Sequence, residues 1–198
     1  MTKSETVPGL RAQQKAATRN ELIRMGVALF LKQGFVNTTI DQIVAPLGIA
    51  KRTFFRYFKT KEDLLFGWQI EKTTDLVREL KARPRQEKPY KAVCETLASL
   101  LEYYDTSPDR ALAFMNLTKE TPSLIGRNCE KRMIWEQALV AALIEREGKG
   151  AMRPLEARII VGTAMVAWLA ALAEWYEEGG KPNLHPIVKK AFSMAGEV

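Results

Sequence analysis

One short stretch of the chain, residues 51–57, carries side chains of the kinds that recognise DNA. Cationic side chains pair with guanine edges and phosphates, hydroxyls hydrogen-bond to bases and phosphates, and apolar groups contact the thymine methyl. All three kinds occur here, in Lys51, Arg52, Thr53, Phe55, Arg56 and Tyr57. The stretch therefore predicts a DNA-reading surface, provided that the neighbouring chain presents it to solvent.

The preceding residues have the spacing of a helix that could hold this surface. Thr39 and Gln42 form a capping-box pattern that opens a short helix, and Pro46 limits it because the residue before a proline avoids helical backbone. Gly48 follows at a tight turn. This arrangement is typical of a helix-turn-helix, whose second helix enters the major groove, with apolar positions at Ile40, Ile43, Val44, Leu47, Ile49, Phe54 and Phe58.

The positive charge of the chain is concentrated in the same region. The net charge is +7, and residues 1–60 hold ten Lys and Arg against three acidic residues, which accounts for all of it. A basic segment beside a neutral remainder is expected when one part of a protein meets a polyanion, although a solvated basic face shows the same pattern.

The run from Phe35 to Leu65 resembles the DNA-binding domain of TetR-family transcriptional regulators. The resemblance covers about residues 14–66 and is carried by Leu29-Phe30, Gly34-Phe35, Thr38-Thr39, Ile43, Gly48, Thr53, Tyr57-Phe58 and Lys61-Glu62-Asp63-Leu64. It implies a homodimeric repressor that binds a palindromic operator in double-stranded DNA and is released by a small-molecule effector. By matching position, it implies DNA contacts from Thr39, Lys51, Arg52, Thr53, Phe55, Tyr57 and Lys61.

Three positions depart from the family pattern and bear on operator choice. Ala50 stands where Ser or another capping residue is usual, which forfeits an N-cap of about 1 kcal/mol. Pro46-Leu47 replaces a pair of small residues, and Phe55 replaces a frequent Tyr whose hydroxyl can reach a phosphate.

Helical patterns dominate the rest of the chain, so we expect an all-α protein of about nine helices. The expected helices are about 14–32, 39–45, 51–57, 60–81, 89–104, 108–118, 122–147, 154–178 and 183–195. We expect a flexible basic arm (1–13), a three-helix helix-turn-helix DNA-binding domain (14–60) and a larger helical ligand-binding and dimerisation domain (61–198).

Helices 154–178 and 183–195 are expected to form the dimer seam. The first is apolar around most of its circumference, and small residues such as Gly162, Ala167 and Ala171 permit close helix approach. Together with their symmetry mates, the two helices would make a four-helix interface. An ordinary monomer core is the alternative explanation.

Aromatic, Met and Leu residues on the middle helices suggest a largely apolar cavity for an apolar or amphipathic effector, although core packing explains any single one. Trp68 on the fourth helix, close to the segment that anchors the recognition helix, suggests how an effector could disturb DNA binding. The predicted lining comprises Trp68, Leu97, Leu101, Tyr104, Phe114, Met115, Trp135, Leu139, Met165 and Trp168.

Other function classes find less support in the sequence. The single histidine, His185, is interpreted as structural, and no phosphate loop, dinucleotide-binding glycine pattern or Cys/His cluster occurs, so we expect no enzyme, metal or cofactor. The uncharged run from Ile159 to Ala173 is shorter than the ~20 residues that span a bilayer, and no signal peptide is visible, which favours a cytoplasmic protein without membrane contact. A helical protein–protein adaptor stays as the alternative, but it leaves the localised charge unexplained.

Overall fold

The computed structural model describes residues 10–148 and 150–197, except for the side chains of residues 10–12 and 68–71. These residues form helices and connecting turns without any strand, which confirms the all-α prediction. Their α-helices are α1 (Leu10–Gln33), α2 (Ile40–Val44), α3 (Lys51–Phe55), α4 (Lys61–Leu65), α5 (Gly67–Ala82), α6 (Pro89–Ala98), α7 (Leu101–Thr106), α8 (Pro108–Glu120), α9 (Pro122–Glu147), α10 (Pro154–Glu177) and α11 (Leu184–Gly196).

The chain divides into two compact units, Met1–Trp68 and Gln69–Val198. The first contains α1 to α4, and α4 packs against α1. The predicted division into arm, DNA-binding domain and ligand-binding domain stays a prediction. Of the arm, residues 1–9 lie outside the described residues, whereas α1 begins at Leu10, four residues earlier than expected.

The short helices of the first unit are set by side-chain caps and a left-handed glycine. Thr39 and Gln42 form the predicted capping box of α2, and Thr60 and Asp63 form another at α4. Between α2 and α3 the chain makes a single 3-10 turn, Ala45–Leu47, and Gly48 ends it with φ +63. Because few residues other than glycine adopt that backbone conformation, Gly48 fixes the turn of the helix-turn-helix.

The prediction of one helix from about residue 60 to Lys81 was wrong, because α4 ends at Leu65 and α5 begins at Gly67. Gly67 sits so close to α1 that a Cβ there would lie 3.1 Å from Arg19 Nη2. The Gly67 carbonyl also accepts a hydrogen bond from Arg19 Nη2 at 3.1 Å. Close packing of this segment against α1 therefore replaces a continuous helix.

The predicted single helix 89–104 is also divided, into α6 and α7. The Ser99 hydroxyl donates to the Thr96 carbonyl at 2.8 Å, and the Leu100 N–H donates to the Leu97 carbonyl at 3.0 Å. A hydroxyl that bonds to a carbonyl of the preceding turn competes with the regular helical ladder. The helix tightens here and resumes at Leu101.

Helix α10 is the centre of the second unit and packs against α6, α9 and α11. Its buried face includes Val161, Met165, Trp168 and Trp175, which join one apolar core with residues of the neighbouring helices. By length and composition α10 could also cross a membrane, but a core helix has the same properties.

Candidate nucleic-acid interface

Helix α3 is attached to its unit by one buried aromatic side chain. Phe54 is fully buried and packs against the buried ring of Phe58, with 5.5 Å between ring centroids. Because Phe54 points inward, the residues on either side of it point outward: Arg52, Phe55 and Arg56 are exposed. The ring of Phe55 is 50 % exposed, although burial would be the default for so large an apolar side chain.

Two other predicted contact residues flank this exposed face. Thr53 is half-buried, and Tyr57 is half-buried with the Arg56 guanidinium 5.3 Å from its ring centroid. Arg56 is absent from the contacts that the family resemblance implies, yet it is an exposed cation just beyond α3. Its place in the basic stretch was the available signal.

Lys51, the first residue of α3, pairs with Asp41 of α2. Its Nζ lies 3.0 Å from Asp41 Oδ2, and both side chains are more than half exposed. An exposed pair of this kind contributes little to stability and is screened by salt. The Lys51 ammonium can therefore turn from Asp41 to a phosphate at small cost.

Thr39 lies at the start of α2 within a network of polar side chains. Its backbone N–H donates to Gln42 Oε1 at 2.8 Å, and its hydroxyl accepts from the Gln42 N–H at 3.2 Å. Gln33 Nε2 donates to the same Gln42 oxygen at 3.1 Å. The side chain of Thr39 is exposed, so the residue combines capping with access to solvent.

Lys61 occupies a different environment from the other predicted contacts. Its side chain is half-buried, and its Nζ donates to the carbonyls of Phe35 at 2.9 Å and Thr38 at 2.7 Å. The Nζ also lies 4.6 Å from the centroid of the Phe35 ring. Sequence position alone gave no sign of these internal contacts, because the acceptors are more than 20 residues away.

Nine of the ten residues predicted to line an effector cavity lie in the second unit, and the side chain of Trp68 lies outside the described residues. Tyr104 and Met115 pack against the core of this unit, and Phe114 is buried on α8. Six belong to that core: Leu97, Leu101, Trp135, Leu139, Met165 and Trp168.

Two polar groups border this apolar region. The Tyr104 ring meets those of Trp168 and Trp175 at centroid distances of 6.0 and 5.6 Å, and burial raises the pKa of its phenol. On α9, the Lys131 Nζ lies 5.0 Å from the Trp135 ring centroid, and loss of solvation lowers the pKa of Lys131 to about 7. His185, interpreted as structural, pairs with Asp105 at 2.7 Å and so connects α11 to α7.

The outer face of α10 exposes apolar side chains. Leu155, Ile159 and Val166 are 59, 60 and 68 % exposed and share one side of the helix with Gly162. Ala167 and Ala171, expected from the sequence to lie in a dimer seam, are instead buried in the core of their own unit. Their positions follow the inward face of α10, which the uniform apolarity of the sequence did not distinguish.

Comparison with known protein families places both units. The family described as bacterial regulatory proteins, tetR family, matches residues 22–67, and the MftR C-terminal domain matches residues 87–197. The chain belongs to the TetR family. It is a helix-turn-helix, DNA-binding transcriptional regulator.

Individual TetR-family proteins are similar along most of the chain. The HTH-type transcriptional regulator TcmR of Streptomyces glaucescens is 29 % identical over 175 residues, which cover 85 % of this chain and 77 % of TcmR. A putative TetR-family regulator from Syntrophomonas wolfei has the same fold, with a TM-score of 0.69, 16 % identity and coverage of 92 % and 95 %. The regulator FadR of Bacillus subtilis, in complex with stearoyl-CoA, gives a TM-score of 0.60, 16 % identity and coverage of 89 % and 96 %.

Proposed function

We propose that this regulator is a homodimeric, cytoplasmic repressor that binds a palindromic operator and releases it when a small, largely apolar effector binds. The observation that carries the DNA-binding part is the outward face of α3, where Arg52, Phe55 and Arg56 are exposed while Phe54 holds the helix from behind. Arg52 is suited to pair with a guanine edge, and Phe55 to contact a thymine methyl.

The remaining contacts are proposed to fix the register on the DNA backbone. Thr39 lies at the exposed start of α2, and Lys51 is held only by an exposed ion pair. Hydroxyls, ammonium groups and phenols commonly donate to phosphate oxygens, which position a protein without reading sequence. We assign this role to Thr39, Lys51, Thr53 and Tyr57.

Dimerisation is proposed to occur through α10 and α11. The exposed side chains of Leu155, Ile159 and Val166 lie on one face of α10, and Met194 of α11 is 61 % exposed. Apolar surface of this extent on neighbouring helices marks an interaction site, and a second copy of the chain provides a matching surface through two-fold symmetry.

The effector is proposed to bind among the apolar residues of the second unit. The region between α6, α9 and α10 is lined by Leu97, Trp135, Leu139 and Trp168, which suits an apolar or amphipathic molecule. The complex of the FadR neighbour with stearoyl-CoA supports a ligand of that character. Of the predicted lining, Trp68 remains a prediction.

The decisive experiment is selection of a binding site from a random library of DNA duplexes by the unmodified protein. We expect an inverted repeat whose half-sites are about 34–36 Å apart or a multiple of that distance. Recovery of no preferred duplex would contradict the proposal.

Arg52→Ala then tests base reading on the selected duplex and on a scrambled one. The variant should bind the selected duplex about 5- to 150-fold more weakly, as the loss of one guanine contact predicts, and the scrambled duplex almost as before. Arg24→Ala removes the same charge from an exposed position of α1 and serves as the control. Equal losses on both duplexes for Arg52→Ala would refute its base-reading role.

A further inference from the structure

Lys61 joins the two segments that flank the helix-turn-helix. It is the first residue of α4, which follows α3, whereas Phe35 and Thr38 lie in the loop between α1 and α2. Hydrogen bonds from its Nζ to the carbonyls of both residues, at 2.9 and 2.7 Å, close this chain segment on itself. The α2–α3 pair is thus held at both ends by one side chain.

The ammonium group has no evident direction left for DNA. A lysine ammonium carries three N–H donors. Two are directed at the carbonyls of Phe35 and Thr38, and the Phe35 ring, with its centroid 4.6 Å from Nζ, occupies a further side. A phosphate would have to replace one of these partners.

We propose that Lys61 is a positioning residue for operator recognition, which holds the α1–α2 loop so that α2 and α3 meet the DNA in register, and that it makes no phosphate contact. The inference rests on the proposed DNA-binding function and differs from the phosphate contact that the family resemblance implies.

The loop that Lys61 holds is built to transmit its position to α2. Thr38 is fully buried, and its hydroxyl donates to the Gly34 carbonyl at 2.8 Å. Phe35 is buried against Phe30, with ring centroids 4.9 Å apart. Thr39, the N-cap of α2, follows directly, so a shift of the Thr38 carbonyl moves the start of that helix.

The test compares Lys61→Met with the unmodified protein, on the duplex selected from the random library and on a scrambled duplex, over a range of salt concentrations. Methionine keeps the length of the apolar stem but removes the charge and the donors. We expect the ratio of affinities for the two duplexes to fall by about ten-fold, as for one lost base contact, with an unchanged slope of log affinity against log salt. Lys59→Met removes an exposed charge two residues away and should leave the ratio intact.

Two results would overturn the proposal. A slope reduced by about 0.9, with equal losses on both duplexes, would show that Lys61 contacts a phosphate. An unchanged ratio in folded Lys61→Met would show that the residue serves stability alone. If Lys61→Met does not fold, Lys61→Arg replaces it, because arginine keeps the charge for a phosphate but cannot reproduce the same three directions, and full retention of the ratio would then overturn the proposal.

A second measurement separates this inference from the function on which it rests. In the free protein, amide hydrogen exchange at Gln42 and Ile43, whose N–H groups bond to Thr39, should become faster in Lys61→Met and stay unchanged in α10. This effect requires no operator. If no duplex is selected, the proposed function fails, while exchange still reports whether Lys61 holds the loop.

Discussion

Ala50 leaves α3 without the side-chain cap that both neighbouring short helices have. Its backbone is extended, as at an N-cap, but it makes no side-chain hydrogen bond to the helix, whereas Thr39 and Thr60 each accept one from the third residue of theirs. Ala50→Ser should therefore raise the free energy of unfolding by about 1 kcal/mol, measured by urea denaturation.

The matched variant for this prediction is Thr60→Ala, which removes the cap of α4. It should lower the free energy of unfolding by a similar amount, about 0.5–2 kcal/mol. If Ala50→Ser leaves the urea midpoint unchanged while Thr60→Ala lowers it, the backbone at Ala50 cannot use a cap, and the prediction is wrong.

Single residues also show how far a sequence predicts a DNA-binding surface. The outward place of Arg52 follows from its spacing to Phe54, since neighbouring positions of a short helix point different ways. The contacts of Lys61 and Arg19 do not follow, because their acceptors are a loop carbonyl and the Gly67 carbonyl, distant along the chain. Both residues add to the local positive charge, yet the structure uses them to hold helices together.

At the scale of elements, the sequence predicted the existence of helices better than their continuity. Both interrupted helices lack a proline at the break, and the causes are close packing at Gly67 and hydroxyl bonding at Ser99. Neither cause is visible in hydrophobic periodicity, which reports only the face that a helix buries. The dimer seam suffered from the same limit, because α10 is apolar on its buried and exposed faces alike.

Lys131 places an ammonium group where α9 meets the apolar core, and this gives a pH-dependent prediction. Loss of solvation lowers its pKa from 10.5 to about 7. Between these values the unfolded chain binds more protons than the folded one, so stability rises with pH across that range. Below pH about 7 the folded protein carries the full cost of the buried charge.

Lys131→Met should therefore raise the free energy of unfolding by about 1–3 kcal/mol at or below neutral pH, and the gain should diminish towards pH about 10. Urea denaturation at several pH values measures it. Arg132→Met removes an exposed charge from the next residue of α9 and should show no such trend. A gain for Lys131→Met that does not vary with pH would show that the ammonium is solvated in the folded protein.

At the scale of the whole molecule, the charge and the exposed apolar surface are separated along the chain. The excess of positive charge lies in residues 1–60, and the exposed apolar face lies on α10, beyond residue 150. Such a division suits a protein that binds a polyanion with one part and a second copy of itself with another. Two recognition helices can match an inverted repeat only when a dimer fixes their separation.

The dimer proposal predicts that Ile159→Glu dissociates the protein. Ile159 is 60 % exposed on the outer face of α10, so glutamate is tolerated in a monomer but would bring an unpaired charge into a dimer seam. An unpaired buried charge costs about 3–5 kcal/mol, which corresponds to a dissociation constant raised by at least about 100-fold. Arg158→Glu changes an adjacent exposed residue and is the control. Sedimentation of the unmodified protein as a monomer would contradict the dimer, and an Ile159→Glu protein that stays dimeric would show that another face forms the seam.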